Sequence, residues 1–395
     1  MRTFEETHPW LSFQCDFSKA GPELWLALGE AASKCDHIAH VPLRPATAEM
    51  LHQLYLAKGA AATTAIEGNT LSEAEVLKAV EGKLEVPPSK EYLKQEVENI
   101  IAVCNDITKK LADGSLQPLI RESICEYNQQ VLHELPKEQG EIPGEIRTHS
   151  VVVGNVYRGA PSEDCAYLLE RLSEWLNGPD FTPLPGKDVI YAIIKAVLAH
   201  LYLAWIHPFG NGNGRTARLL EFHILLSAGV PSPAAHLLSN HYNQTREEYY
   251  RQLNHASKSG GDILPFLGYA VQGFVDGLRG QLNFIWKQQW QIAWENYVHE
   301  LFRSTDGQTN ARQRNLALDL GDVADWIEVG KITELTPRLA KAYAGKTAKT
   351  VQRDVNHLHK LDLIRRDGRK IKAKREVILS FLPLRKAPQA ATKAA

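Results

Sequence analysis

Paired cysteines, long apolar runs, metal-ligand spacings and an excess of either charge are all missing from this chain of 395 residues. Its five cysteines (Cys15, Cys35, Cys104, Cys125, Cys165) are scattered, odd in number and never spaced C-x-x-C. That excludes a disulfide framework and a zinc knuckle, and leaves reduced, mostly buried thiols. The fifteen histidines never fall into H-E-x-x-H or a comparable spacing, so a transition-metal site built from protein alone is not expected. No stretch approaches the roughly 18 uncharged apolar residues that a membrane span needs. The opening "MRTFEETHPW" has no basic segment followed by an apolar run, so neither secretion nor a membrane is expected and a cytoplasmic address is.

What is present is the composition of a soluble globular protein, 44% hydrophobic and 23% charged, long enough for two or three domains. The net charge of −1 conceals an asymmetry: residues 331–386 carry sixteen Lys and Arg against five Asp and Glu, so the remainder is acidic and separate tasks are expected of the two parts. Apolar residues recur at three and four in "EMLHQLYLAKGAAATTAIE" (49–67), "VIYAIIKAVLAHLYLAWI" (189–206) and "TARLLEFHILLSAG" (216–229), so the body is expected to be mainly α. Pro- and Gly-rich breaks fall at 85–90, 135–145 and 178–186. Within the first 300 residues only "RTHSVVVGNVYRGAP" (147–161) reads as β, a hairpin around Gly154-Asn155. Beyond a polar linker at 303–313, the basic segment reads as helix, helix and a hairpin turning at Asp367-Gly368. That order is the one of a winged helix-turn-helix, with Thr347 to Leu361 as recognition helix.

The chemistry concentrates in "HPFGNGNGRTAR" (207–218). An apolar helix ends at Ile206, and an amphipathic one begins near Arg215. The loop between them leads into a helix N-terminus, which offers unpaired N–H groups and a positive dipole end to an anion. Glycine lets backbone approach phosphate oxygens, and Arg215 and Arg218, one turn apart, can clamp further oxygens. There is no G-K-[ST] for a Walker loop and no preceding strand for a dinucleotide fingerprint. His207 at the junction suits a general base that activates a hydroxyl attacking phosphorus.

These residues resemble the signature of Fic-domain proteins, H-x-F-x-[D/E]-G-N-G-R-x-x-R, with His207, Phe209, Gly212, Asn213, Gly214, Arg215 and Arg218 in register. The resemblance spans about residues 50–280, with the flap "SVVVGNVYRG" before the signature and "TREEYYRQL" after it. It implies a Fic-type helical bundle that transfers a nucleotide monophosphate, most often AMP from ATP, to a Ser, Thr or Tyr hydroxyl of a target protein, and it allows auto-modification. His207 would take the hydroxyl proton. Gly212, Asn213 and Gly214 would bind phosphate oxygens through backbone N–H groups, with Thr216 beside them. Arg215 would stabilise the departing pyrophosphate and Arg218 would hold the γ-phosphate. Val152 to Val156 (Val153, Gly154, Asn155 and Val156 also walling the nucleotide) would dock the target by strand addition. Tyr249 and Tyr250 fall where the family lines its adenine site, and Ser257 stands where some relatives have Asn.

Upstream, "TTAIEGN" (63–69) resembles the family's inhibitory motif [S/T]-x-x-x-E-[G/N] through Thr63, Glu67 and Gly68. It implies that Glu67 pairs with Arg218 and blocks the γ-phosphate. Where the family has Asp or Glu as its Mg²⁺ ligand stands Asn211, a carbonyl oxygen without charge. The expectation is an enzyme that needs more Mg²⁺ or Mn²⁺, with altered nucleotide preference and a merely binding site as alternatives. The implied layout is an N-terminal helical region with the inhibitory motif at 1–95, a Fic core at 96–285, a helix and linker at 286–312, a winged helix-turn-helix at 313–386 and a disordered tail at 387–395. The competing reading is a DNA-binding regulator whose Fic body senses nucleotide, carried by Lys349, Gln352, Arg353 and Asn356 on the recognition helix. Reverse transfer, with Glu67 positioning a water, and a homodimer stay open.

Overall fold

Three- and four-residue apolar spacing is realised as helix almost throughout. The structure, a computed structural model, describes residues 2–137, 141–153, 157–303 and 307–379. Gly154, Asn155 and Val156 of the flap, and everything after residue 379, lie outside the described residues. The chain forms two compact units, residues 1–282 and 283–395.

In the first unit the order is α1 (Thr3–Thr7), α2 (Pro22–His40), α3 (Pro45–Ile66), α4 (Glu73–Val80), α5 (Glu91–Ala112), α6 (Arg121–Val131), the hairpin β1 (Val152–Val153) and β2 (Tyr157–Arg158), α7 (Ser162–Leu176), α8 (Asp188–Ile206), α9 (Asn213–Ser227), α10 (Ser232–Ala235), α11 (Leu237–Gln244), α12 (Arg246–Lys258) and the first part of α13 (Leu264–Leu301), whose remainder belongs to the second unit. The strands are antiparallel, Val152 opposite Arg158 and Val153 opposite Tyr157. Helix starts follow local chemistry: Ser72 and Glu75 form a reciprocal capping box at α4, and prolines open α2 and α3.

The centre of the unit is α8 packed on α9, flanked by α7 and α2 on one and by α5, α6 and α3 on the other. By length and composition α8 could cross a bilayer, but Ala196 through Leu203 are all buried in the protein core, which makes the helix uniformly apolar for a different reason. α9 differs from expectation twice. It begins at Asn213 rather than near Arg215, and it is not amphipathic, because every residue from Arg215 to Leu226 is buried. Polar groups on it therefore need internal partners. Residues from α1 to α5 share one hydrophobic core with those that follow, up to Leu278.

The second unit has its own core around Trp294, Leu316, Leu339, Val355, Leu358 and Ile371. It contains α14 (Gln308–Gly321), β3 (Ile327–Glu328), α15 (Pro337–Tyr343), α16 (Ala348–Lys360), β4 (Ile364–Asp367) and β5 (Lys370–Ala373). The three strands form an antiparallel sheet in the order β3-β5-β4. The stretch read as a polar linker is helical from Gln308 on. Its polar Arg312 and Gln313 turn inward to the buried Asp354, at 2.6 and 2.7 Å, where Tyr343 also donates at 3.0 Å. A carboxylate so satisfied can stay in a core.

Candidate active site

α8 stops at His207, which adopts the left-handed conformation (φ 50°, ψ 57°) ahead of Pro208, a residue that disfavours helix in its predecessor. The loop then folds on its own side chains. Phe209 is sealed in the core at 1% exposure, and Asn213 clasps it at both ends, accepting from its N–H at 3.0 Å and donating to its carbonyl at 2.8 Å. Gly212 takes φ 75°, a value that costs glycine little, and a Cβ there would lie 2.9 Å from Asn128 Nδ2. Thr216 donates to the Gly212 carbonyl at 2.9 Å, and Asn128 to that of Asn211 at 2.9 Å. The first backbone N–H groups of α9 have no partner within the helix, and they face the turn where an anion would sit.

His207 is held in place by Arg147, which sequence reasoning passed over. The Arg147 guanidinium donates to the carbonyls of His207 (2.7 Å), His149 (2.5 Å) and Ala160 (2.5 Å), and its backbone N–H to that of Pro208 (3.0 Å). The signature loop is thereby fastened to both ends of the hairpin segment. Burial first, and then the Arg147 charge, bring the imidazole down to about 4, while a hydrogen bond to the Ala204 carbonyl and the charge of Glu67 oppose them. At neutral pH His207 is an uncharged base.

Both signature arginines are met by carboxylates from elsewhere. Arg218, whose side chain is 1% exposed, donates to Glu67 Oε1 at 2.6 Å and to the Thr63 carbonyl at 2.9 Å. Burial raises the Glu67 carboxyl, but Arg218 outweighs it and holds the group below the usual carboxylate range. Arg215 donates to Glu96 Oε1 at 2.7 Å and to Asn211 Oδ1 at 3.0 Å. Glu96, on α5, also accepts from Asn69 at 2.9 Å, and its own carboxyl is pushed up by burial against the pull of Arg215. So Asn69, two residues past Glu67, ties the same turn to the second arginine. Even so, Arg218 Nε and Nη1 and Arg215 Nε are buried without a partner among the described residues, an arrangement that an incoming anion would relieve.

Several expected contacts are placed differently. The Gly212 N–H is already donated to Asn211 Oδ1 at 2.7 Å, whereas the N–H groups of Asn213 and Gly214 have no acceptor among the described residues. Tyr249 is 3% exposed, stacked on Tyr242 with centroids 4.8 Å apart and bonded to His200 at 2.9 Å. Consecutive helix residues point about 100° apart, so its neighbour Tyr250 stays 44% exposed and reaches the Ile66 carbonyl at 3.4 Å. Of the two rings Tyr250 is the exposed one, with the Arg246 guanidinium 5.9 Å from its centroid. Ser257 is buried and donates to the Asn254 carbonyl at 3.0 Å. Val153 lies in β1 as drawn; Gly154, Asn155 and Val156 are outside the described residues. Asn211 Oδ1 accepts two N–H groups, one from a cationic guanidinium. Both lone pairs are engaged, and this donor set does not fit a Mg²⁺ or Mn²⁺ ligand.

Residues 118–225, which run from before α6 to the end of α9, match the Fic/DOC family. The chain carries a Fic domain. Over 211 residues it is 32% identical to the protein adenylyltransferase Fic of Nematostella vectensis, covering 53% of this chain and 45% of that protein. Over 269 residues it is 28% identical to the protein adenylyltransferase fic-1 of Caenorhabditis elegans, covering 67% and 46%. The chain thus spans less than half the length of these curated relatives. The structure of Fic-1 from C. elegans superposes with a TM-score of 0.53 at 26% identity, over 66% of this chain and 72% of that one. A Fic family protein from Desulfovibrio desulfuricans G20, at 18% identity, shares the fold over 90% of this chain and 96% of its own, with a TM-score of 0.55.

Proposed function

We propose that this Fic domain is a protein adenylyltransferase held in check by Glu67. The observation that carries the reading is the convergence, at the start of α9, of an uncharged His207 with two buried arginines whose N–H groups lack partners among the described residues. In the reaction, His207 accepts the proton of a Ser, Thr or Tyr hydroxyl as its oxygen attacks the α-phosphorus of ATP. A phosphorus–oxygen bond forms to the target, the bond to pyrophosphate breaks, and the arginines and the N–H groups of Asn213 and Gly214 stabilise the charge that develops. No step is assigned to a metal. The target is a protein segment laid against β1, or the chain itself.

Glu67 occupies the guanidinium that a γ-phosphate needs. Removing it leaves Arg218 buried and unpaired, at a cost of about 3–5 kcal/mol, which the phosphate of bound ATP offsets. Incubation of wild type, Glu67→Gly and His207→Ala with each nucleoside triphosphate, followed by mass spectrometry, tests this. Glu67→Gly is expected to gain an AMP adduct and His207→Ala to show none; equal modification of wild type and Glu67→Gly would remove Glu67 from the inhibitory role.

A second reading concerns the other unit. On α16 Lys349, Arg353, Asn356 and Lys360 are exposed at four-, three- and four-residue spacing, and Arg366 of the adjoining hairpin reaches Asn356 at 3.1 Å. We infer a nucleic-acid contact from this continuous basic face, with the helix as reader and the hairpin as wing. Gel shifts of the full chain should weaken steeply with salt, and Lys349→Glu with Arg353→Glu should abolish them. Binding that ignores both salt and the substitutions excludes the reading.

A further inference from the structure

A cavity opens between α8, α9 and the loops at residues 116–119 and 177–183, and it measures about 410 Å³. That lies within the roughly 300–1,000 Å³ typical of small-molecule sites. None of its lining residues belongs to the signature loop or to the Glu67 and Glu96 contacts. Leu119 and Phe181 give it apolar walls, while Lys195 of α8 and His223 of α9 bring charge and a ring nitrogen.

Lys195 is the unusual member. It is half-buried, and among the described residues no carboxylate comes within ion-pair distance of it. Asp188, which also lines the cavity, stands seven residues earlier on α8, about 10 Å along the axis, and is exposed. Burial draws the ammonium below its ordinary value, as expected for a cation losing water without gaining a partner. Beside it, His223 is brought down to about 4 by burial, then by Lys195 and Lys110. Its Nδ1 is engaged with the Tyr127 hydroxyl at 2.8 Å. With Tyr127 as donor, Nε2 carries the ring hydrogen and has no partner among the described residues.

A cation without a counter-ion, an unengaged ring N–H and apolar walls in one recess specify a ligand class. We propose that this cavity binds a small organic anion, with its carboxylate or phosphate head on Lys195 and His223 Nε2–H and its apolar body on Leu119 and Phe181. The cation would be neutralised where it is now uncompensated, and the apolar walls would favour an organic anion over an inorganic one.

Calorimetric titration of the full chain with benzoate, phenyl phosphate, benzylamine and inorganic sulfate tests the assignment. Saturable binding is expected for benzoate or phenyl phosphate, weaker for sulfate and absent for benzylamine. Lys195→Met, close in shape and free of the desolvation cost, should weaken the anions about tenfold or more, while Lys195→Arg retains them. Arg218→Ala should leave the affinity unchanged, which separates this cavity from the nucleotide site. The ring of His223, followed by NMR, should titrate at higher pH when the anion is bound. Equal binding of benzylamine, an unchanged affinity in Lys195→Met, or no saturable binding of either organic anion would overturn the proposal. Since no arm reads nucleotide transfer, the outcome is independent of the adenylyltransferase reading.

Discussion

Arg147 has two effects on His207. Its hydrogen bonds set where the imidazole stands, and its charge helps keep the ring unprotonated. A base works only in its neutral form, so the acid limb of activity should lie far below pH 6.5, near the depressed value of about 4. Arg147→Met removes one of the two influences that lower the group, and the limb should move upward toward the ordinary imidazole range, while Arg147→Lys moves it less. A pH–rate profile in a Glu67→Gly background decides this; an unmoved limb in Arg147→Met would leave burial as the whole cause. None of this was legible beforehand. Arg147 lies in a segment read as the approach to a hairpin, and its partners are carbonyls scattered from 149 to 208, a pattern without a sequence signature. Glu96 did leave a trace: it falls on the apolar stripe of Leu93, Val97 and Ile100, where a carboxylate demands a cation.

At the scale of elements, the proposed regulation rests on the end of α3. Glu67 closes the helix, Gly68 turns it at φ 104°, and Asn69 binds Glu96, which holds Arg215. Arg246 of α12 adds a bond to the Ile66 carbonyl at 2.6 Å. The turn is thus fastened at three points, of which only the glutamate was expected from the motif. Asn69→Ala should loosen Glu67 without removing it, so auto-modification should rise above wild type but stay below Glu67→Gly. Added to Glu67→Gly it should contribute nothing more, and full additivity would mean that Asn69 acts elsewhere. The helices themselves were readable from spacing. What was not readable was the character of α9, because burial on every face comes from neighbours distant in sequence.

For the whole molecule, three buried imidazoles, the most strongly lowered among the described residues, tie stability to pH. His207 and His223 are lowered to about 4 and His236 to about 3, each chiefly by burial. In the unfolded chain all three take protons near 6.5, so above that pH they leave folding unaffected, and as pH falls from about 6.5 toward 4 the unfolded chain binds protons the folded one refuses and stability is lost. Each group can contribute up to about 1.4 kcal/mol per pH unit across that window. Denaturant midpoints measured from pH 7 to 4.5 should therefore decline, and His236→Gln, which removes one of the three groups, should flatten the decline. A slope unchanged in the variant would assign the loss to other groups. The inward-turned Arg312 and Gln313 of α14 were hidden by their polarity.

Under the proposed function, Gly214 is the residue at which inhibition and phosphate binding share one space. A Cβ at that position would lie 2.4 Å from Glu67 Oε1 and 3.1 Å from Arg218 Nη1. In that reading the bare backbone that would admit a phosphate oxygen is also the seat of the Glu67 carboxylate. A lineage of this protein could not shed its restraint by substituting the loop, because any side chain that evicts Glu67 also crowds the nucleotide. Escape has to come from the tip of α3, and constitutively active descendants should differ at residues 63–69 while their loop stays as it is.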